Sequence, residues 1–289
     1  IDELRRDAEA AAALGIPAGA LDGRISASGT LAPAWRVRAD IALARGSRLA
    51  GVALAGTARG AFAPGSIREV AIDLAAGRSK LTAASAADER IVVALEAPNL
   101  TELAPLLPAS FPGPISGALR GKATFAGTPA GSGVDLEASG EQLKLPGGIT
   151  FGALGVRAHL APGTPADVRG DLAARAMRID ITATGLVTPE ATFATMRASL
   201  NGTLAQHALT LAMKGEDLDL DASAHGGLDL PHGARDIASL SWSGALDTLE
   251  NRGPWALRLA APATVQLART RVRVGTARLA VADGDVRLV

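Results

Sequence analysis

Residues 200–215 read LNGTLAQHALTLAMKG, and the apolar phase slips within them. Ala198 and Leu200 hold even positions among Arg197, Ser199, Asn201 and Thr203. Beyond Gln206 and His207 the large apolar residues are odd: Leu209, Leu211 and Met213. A strand with one covered face cannot change parity without a turn or bulge, because a one-residue slip carries every side chain to the other face. The stretch therefore reads as two strands joined by a turn over 201–207, with Gly202 and Thr203 supplying its backbone freedom. His207 then stands at a strand start, as structural punctuation.

The same period of two runs outward in both directions. WRVRADIAL sets Trp35, Val37, Ala39, Ile41 and Leu43 against Arg36, Arg38 and Asp40. EVAIDL gives Val70, Ile72 and Leu74, and IVVALE gives Ile91, Val93 and Leu95. VDLEAS contributes Val134, Leu136 and Ala138, and GVRAHL contributes Val156, Ala158 and Leu160. MRIDITAT aligns Met177, Ile179 and Ile181, while LDLDAS aligns Leu218, Leu220 and Ala222. WALRL presents Trp255, Leu257 and Leu259, RTRVRV presents Val272 and Val274, and RLAVA presents Leu279 and Val281. Roughly fourteen short strands result, joined by Gly, Pro, Asp and Ser turns, which is the signal of all-β structure.

Gly-Thr recurs at 29–30, 56–57, 127–128, 163–164, 202–203 and 275–276, and ISASGTLA, VALAGTARG, TFAGTPAG and SLNGTLAQ each read as a strand end, then Gly-Thr, then a turn. The unequal spacing argues against a strict leucine-rich or hexapeptide repeat and fits a drifting hairpin array. Only the opening IDELRRDAEAAAALG predicts a helix, over residues 1–15, with acidic residues at its start and Gly15 at its stop. A short helical turn is expected at Asn99–Leu107, capped by Asn99, before the backbone is broken by prolines 105, 108, 112 and 114. The organisation that follows is one elongated segment, 1–289. It comprises the helix, a first strand array at 16–98, a Pro-rich connection at 99–114 and a second array at 115–289.

Composition narrows the function. The 29 basic and 29 acidic residues balance, so the chain lacks the basic footprint of a nucleic-acid binder. Cysteine is absent, which removes disulfides, thiolate metal sites and cysteine nucleophiles. Mean hydropathy is +0.22, yet no stretch reaches the roughly 18–20 apolar residues that span a bilayer. No signal peptide opens the chain, which starts at Ile1 and reads as an internal segment of a longer protein. Aromatic residues are 3% of the chain, too few for the large side chains that usually fill a sandwich or barrel core. The expected architecture is instead all-β, a single curled sheet of mostly antiparallel short strands. Its Val, Leu, Ile and Ala face forms a U-shaped trough that is lined but not filled.

Catalytic and metal motifs fail one by one. His159, His207, His225 and His232 match no zinc spacing and read as exposed or turn-stabilising. Asp217, Asp219 and Asp221 imitate a calcium loop, but Ala222 stands where glycine is required; alternation explains them as an acidic strand face. SGALRGKAT lacks both the first glycine and the hydroxyl residue of a P-loop, and no GxSxG elbow occurs. Asn99 and Asn201 head glycosylation sequons of a kind that arises by chance. No enzyme, cofactor or metal is expected.

The order of motifs in the C-terminal half carries a family resemblance. Gly202-Thr203, His207 and the alternating Leu209 and Leu211 are followed by Gly226-Gly227-Leu228. Then come Trp242-Ser243-Gly244-Ala245-Leu246, and Trp255-Ala256-Leu257 before Ala261-Pro262-Ala263. Upstream, APNLTELAPLLP and GPISGALRGKATFAGTPA stand as a connection between strand arrays. Together these resemble the TamB family of the bacterial translocation and assembly module, related to AsmA-like bridge-type lipid transporters. The resemblance implies an elongated β-groove in the periplasm, held by an inner-membrane anchor and continued by neighbouring segments of the same chain. It also implies phospholipid as cargo and an outer-membrane barrel partner of the TamA type, met through a region outside this sequence. On this reading the groove is lined by Val37, Ile41, Leu43, Val70, Ile72, Leu74, Ile91, Val93 and Leu95. Its second half is lined by Val134, Leu136, Val156, Leu160, Ile179, Ile181, Leu209, Leu211 and Met213, then Leu218, Leu220, Leu257, Leu259, Val272 and Val274. At about 4.8 Å per strand, fourteen strands make a trough of about 65 Å.

Two other roles remain open from sequence. One is a chaperone-like scaffold whose exposed sheet edges assist barrel assembly. The other is a self-packed structural core. A β-helical adhesin fits less well, since the chain has only three asparagines with which to build ladders.

Overall fold

A computed structural model describes residues 19–30, 32, 35–86, 90–107, 111, 113–126, 131–163, 172–229, 241–268, 271–281 and 284–288. These residues hold 21 β-strands and no α-helix. The helix expected at 1–15 lies outside the described residues. The turn expected after Asn99 is present as two 3-10 turns, Leu100–Glu102 and Ala104–Leu106. Asn99 caps the first, its Oδ1 accepting from the Thr101 N–H at 3.1 Å. The chain divides into two compact units: Ile1–Pro129 with Ala138–Thr150, and Ala130–Glu137 with Phe151–Val289. Each is a curled, unclosed antiparallel sheet.

In the first unit the chain meanders, so sequence neighbours are spatial neighbours. β2 (Gly23–Thr30) pairs with β3 (Arg36–Leu43), and β3 pairs with β5 (Val52–Ala63). The series continues through β6 (Ser66–Ala76), β7 (Ser79–Ser85), β8 (Ile91–Ala97) and β9 (Ser116–Ala126). Two short strands, β1 (Gly19–Ala20) and β4 (Arg48–Leu49), extend the start of β5. The described part of the outer edge of β2 meets no strand, and all eight of its residues are exposed. β10 (Gly133–Leu145) contributes residues to both units.

The second unit follows the same rule. β11 (Ile149–Leu160) lies beside β12 (Met177–Val187), with Gly155 against the Thr182 side chain. Pairing then runs through β13 (Thr192–Gly202), β14 (His207–Gly215), β15 (Asp219–Asp229) and β16 (Ser241–Asn251). The next strand is kinked at Pro262 into β17 (Leu257–Leu259) and β18 (Ala263–Ala268), and both halves pair with β16. Its partner is likewise divided, into β19 (Arg271–Val274) on β18 and β20 (Ala277–Val281) on β17. β21 (Gly284–Leu288) closes the described chain against β20.

These kinks and the two-residue strands explain part of the excess of 21 strands over fourteen. Weak contrast explains more: β5, β9 and β13 are rich in Ala, Gly and Thr, so their alternation is faint in sequence. The Gly-Thr reading needs one correction. Gly202-Thr203 and Gly29-Thr30 do end strands, but Gly56-Thr57 lies mid-strand in β5. There Gly56 adopts φ +133°, and a Cβ would overlap the Asp73 carbonyl of the adjacent strand. Glycine at 56 serves close strand approach, not a turn.

Candidate functional site: the apolar face of each unit

Directly opposed residues of an antiparallel pair project to the same side of the sheet. The registers therefore assign faces strand by strand. In the first unit Ile25, Ile41, Ala58, Ile72, Ala83, Val93 and Ala123 form one cross-strand row. The adjacent row runs Leu43, Gly56, Leu74, Leu81, Leu95 and Gly121. Val37 joins the same face opposite Phe62, and Ile91 joins it opposite Phe125. Val70 shares the parity of Ile72 and stands at a bulge, where Glu69 takes φ +52° and the register with β5 shifts. The nine residues predicted here thus come together on one side.

The second unit repeats the arrangement. One row runs Ile181, Ala198, Leu211, Ala222 and Leu249; its neighbour runs Ile179, Leu200, Leu209, Ala224, Leu246 and Ala263. Met213 opposes Leu220, and Leu218 precedes β15 in the same parity. Val272 and Val274 reach this face through Leu267 and Val265, and Leu257 reaches it through Asn251. In β10 and β11 the opposite face is marked by ion contacts, His159 Nδ1 with Asp135 at 2.6 Å and Arg157 Nε with Glu137 at 3.1 Å. That leaves Val134, Leu136, Val156 and Leu160 on the apolar side.

The slip at 200–215 is resolved by the turn expected there. β13 ends at Gly202, the Thr203 N–H donates to the Gln206 carbonyl at 2.6 Å, and β14 begins at His207. Even residues of β13 and odd residues of β14 thereby share one face.

The apolar face is half-covered and not packed. In β3 exposed Arg36, Arg38, Asp40 and Ala42 alternate with partly covered Val37, Ala39, Ile41 and Leu43. Among the described residues ten hydrophobic side chains are buried, and five of them are alanines. One place is closed: Leu259, Ala263 and Ala277 are buried together, with Leu246, Leu249 and Leu279 against them. Leu259 is therefore covered by its own chain, whereas Val272 on the same face is 67% exposed.

The other face carries exposed ion pairs, including Lys80–Asp73 at 3.2 Å, Lys214–Asp219 at 3.6 Å and Arg252–Asp221 at 2.9 Å. Pairs this exposed add little stability each. They do account for the calcium-like acids, since Asp219 and Asp221 each answer a cation across the strands. A shallow cavity of about 450 Å³ on this face is bordered by Arg24, Asp40, Arg59 and Asp73.

Residues 14–277 match the family model described as TamB, N-terminal domain. The chain belongs to the TamB family. No curated protein and no solved structure gives a significant match to it. TamB proteins are periplasm-spanning proteins of the bacterial envelope. Among the described residues no helix is long and apolar enough to cross a membrane.

Three of the motifs that carry the TamB resemblance, those of Gly202 and His207, Gly226 and Trp242, meet at one point of the apolar face. Gly202, His207, Gly226 and Gly244 form a single row across β13 to β16. The Trp242 indole lies over the last two glycines, where a Cβ would approach it to 2.5 and 2.6 Å. Its Nε1–H donates to His207 Nε2 at 2.8 Å. His207 Nδ1–H donates to the Thr203 carbonyl at 2.9 Å, which fixes the neutral tautomer with Nε2 as acceptor. His207 begins β14 and bonds the turn, as its place in the sequence predicts, but it is buried there. Sequence reasoning missed the partner, because 35 residues separate His207 from Trp242.

A second buried polar group organises the TamB Trp255 motif. Asn251 Oδ1 accepts from the Asp219 N–H at 2.9 Å and the Gly253 N–H at 3.2 Å. Its Nδ2–H donates to the Trp255 carbonyl at 2.8 Å. The turn is pinned from beneath, while the Trp255 side chain is 79% exposed.

Proposed function

We propose that this TamB segment carries phospholipid acyl chains along its apolar face, as a periplasmic conduit between the inner and outer membranes. The observation that supports the reading best is the shared face. Aliphatic side chains from successive strands of each unit stand on one side, half-covered, with charge on the other. Keeping an acyl chain out of water is worth about 0.8 kcal/mol per methylene, so lipid tails cross an aqueous gap only if they remain covered. Walls of Val, Leu, Ile and Ala cover tails without a single tight site, which lets a lipid move along them. Neighbouring segments of the full-length protein would extend the path, and a TamA-like barrel would meet it beyond this chain. The role is one of transport and not of catalysis.

The test is co-purification: mass spectrometry of lipid extracted from the purified chain, compared with variants carrying Ile72→Asp, Ile181→Asp or Leu220→Asp. Phospholipid bound to the parent chain and lost from folded variants supports the proposal. Equal lipid in all of them contradicts it.

The exposed edge at β2 favours a second reading, pairing with unfolded barrel strands. Crosslinks from Ser26 or Ser28 to barrel peptides, in a chain that binds no lipid, would support that role instead.

A further inference from the structure

Arginines concentrate on the charged face of the last strands. Upstream, Lys80, Arg157, Lys214 and Arg252 each stand against a carboxylate, and Arg24, Arg59 and Arg197 are spread over strands that also present Asp40, Asp73 and Asp180 on that face. Arg258, Arg271, Arg273, Arg278 and Arg287 are exposed, and among the described residues none of them has an ion pair or hydrogen bond. Register explains why. Arg271 faces Ala268 and Arg273 faces Gln266; Arg258 lies between Ala280 and Glu250, whose carboxylate already takes Arg252 at 3.1 Å. Arg278 stands directly opposite Arg287. Asp285 opposes Ala280 in the neighbouring pair of that face, which leaves an excess of positive charge there. Like charges in a direct cross-strand pair destabilise a sheet, and an anion above the pair offsets that cost.

The arrangement also restricts the anion. Alternate residues of a strand are about 6.8 Å apart and neighbouring strands about 4.8 Å apart, all five side chains leaving the same face. Arg278 and Arg287 can share one anion, but Arg258, Arg271 and Arg273 stand on other strands and do not converge on it. A broad anionic surface satisfies all of them at once. An acidic peptide carries its charge along a single line and would answer one row of these guanidiniums and not the whole field. We infer that the arginine face of β17 and β19–β21 is a contact surface for an anionic phospholipid bilayer. The inference rests on charge and register and is independent of acyl-chain carriage on the other face.

The experiment is co-sedimentation of the chain with phosphatidylcholine vesicles with and without phosphatidylglycerol. Binding is expected only when phosphatidylglycerol is present, and it falls steeply with added salt. Each arginine near an anionic surface is worth about fivefold in affinity, so the combined R271Q, R273Q, R278Q and R287Q variant loses on the order of several hundredfold. The corresponding Arg→Lys set retains charge and retains binding, which separates the effect from misfolding. The inference is overturned if the parent chain ignores phosphatidylglycerol, or if the glutamine variant binds equally. Tighter binding to soluble polyglutamate than to vesicles also overturns it. Lipid co-extraction succeeds or fails separately from all of these outcomes.

Discussion

The Trp242 indole donates to His207 Nε2 at 2.8 Å across the glycine row of the apolar face. The bond ties β14 to β16 over β15, and it holds His207 in one tautomer through the Thr203 carbonyl. Trp242→Phe keeps the ring but leaves a buried acceptor unpaired, which costs about 1–3 kcal/mol. Urea unfolding of Trp242→Phe, His207→Ala and the double variant will show a coupling energy of about 1 kcal/mol. Strict additivity would mean that the bond does not hold the strands together.

Glycines on the sheet divide by what a methyl group would meet. At Gly227 a Cβ overlaps the Ala205 carbonyl of the turn folded onto β15; at Gly284 there is nothing within 4 Å. Gly227→Ala will destabilise the chain by about 1–3 kcal/mol, and Gly284→Ala will change stability by less than about 0.5 kcal/mol. Thermal denaturation of the two variants decides the matter.

Leu259 and Val272 share a face but differ in cover, 7% against 67% exposed. Leu259→Ala opens a cavity beside Ala263 and Ala277 and costs about 2–4 kcal/mol. Val272→Ala costs less than about 0.5 kcal/mol, because little surface is removed from a packed site. Similar losses at both positions would show that the apolar face is packed throughout.

Glu102, in the connection after β8, contributes to acid sensitivity. The Arg78 backbone N–H donates to Glu102 at 3.2 Å and the Arg78 side chain at 2.7 Å, holding the carboxyl below its ordinary value of 4.5. A depressed folded-state pKa contributes stability that is complete above the unfolded value and is lost as pH falls through the folded one. Glu102→Gln will therefore flatten part of the acid limb of the stability curve and leave the neutral region parallel. Chemical denaturation across that range measures it.

Which face each aliphatic residue takes was legible in the sequence, because parity is a property of single strands and the registers preserve it. Ile72, Ile181 and Leu211 fall where alternation puts them. Strand number was less legible, since Ala and Gly give little contrast and the Pro262 kink divides one strand into two. The Trp242–His207 bond and the closed cluster at Leu259 depend on residues far apart in sequence, and alternation carries no information about them. The unpaired arginines were visible as residues, but that they lack partners follows only from register.

The central claim is that lipid tails lie against one face. A photoreactive residue at Leu211, which faces the apolar side, and another at Thr210, which faces the charged side, test it most directly in cells. The account predicts phospholipid adducts from position 211 and none from 210. Equal labelling of both, or protein adducts alone from 211, would contradict it.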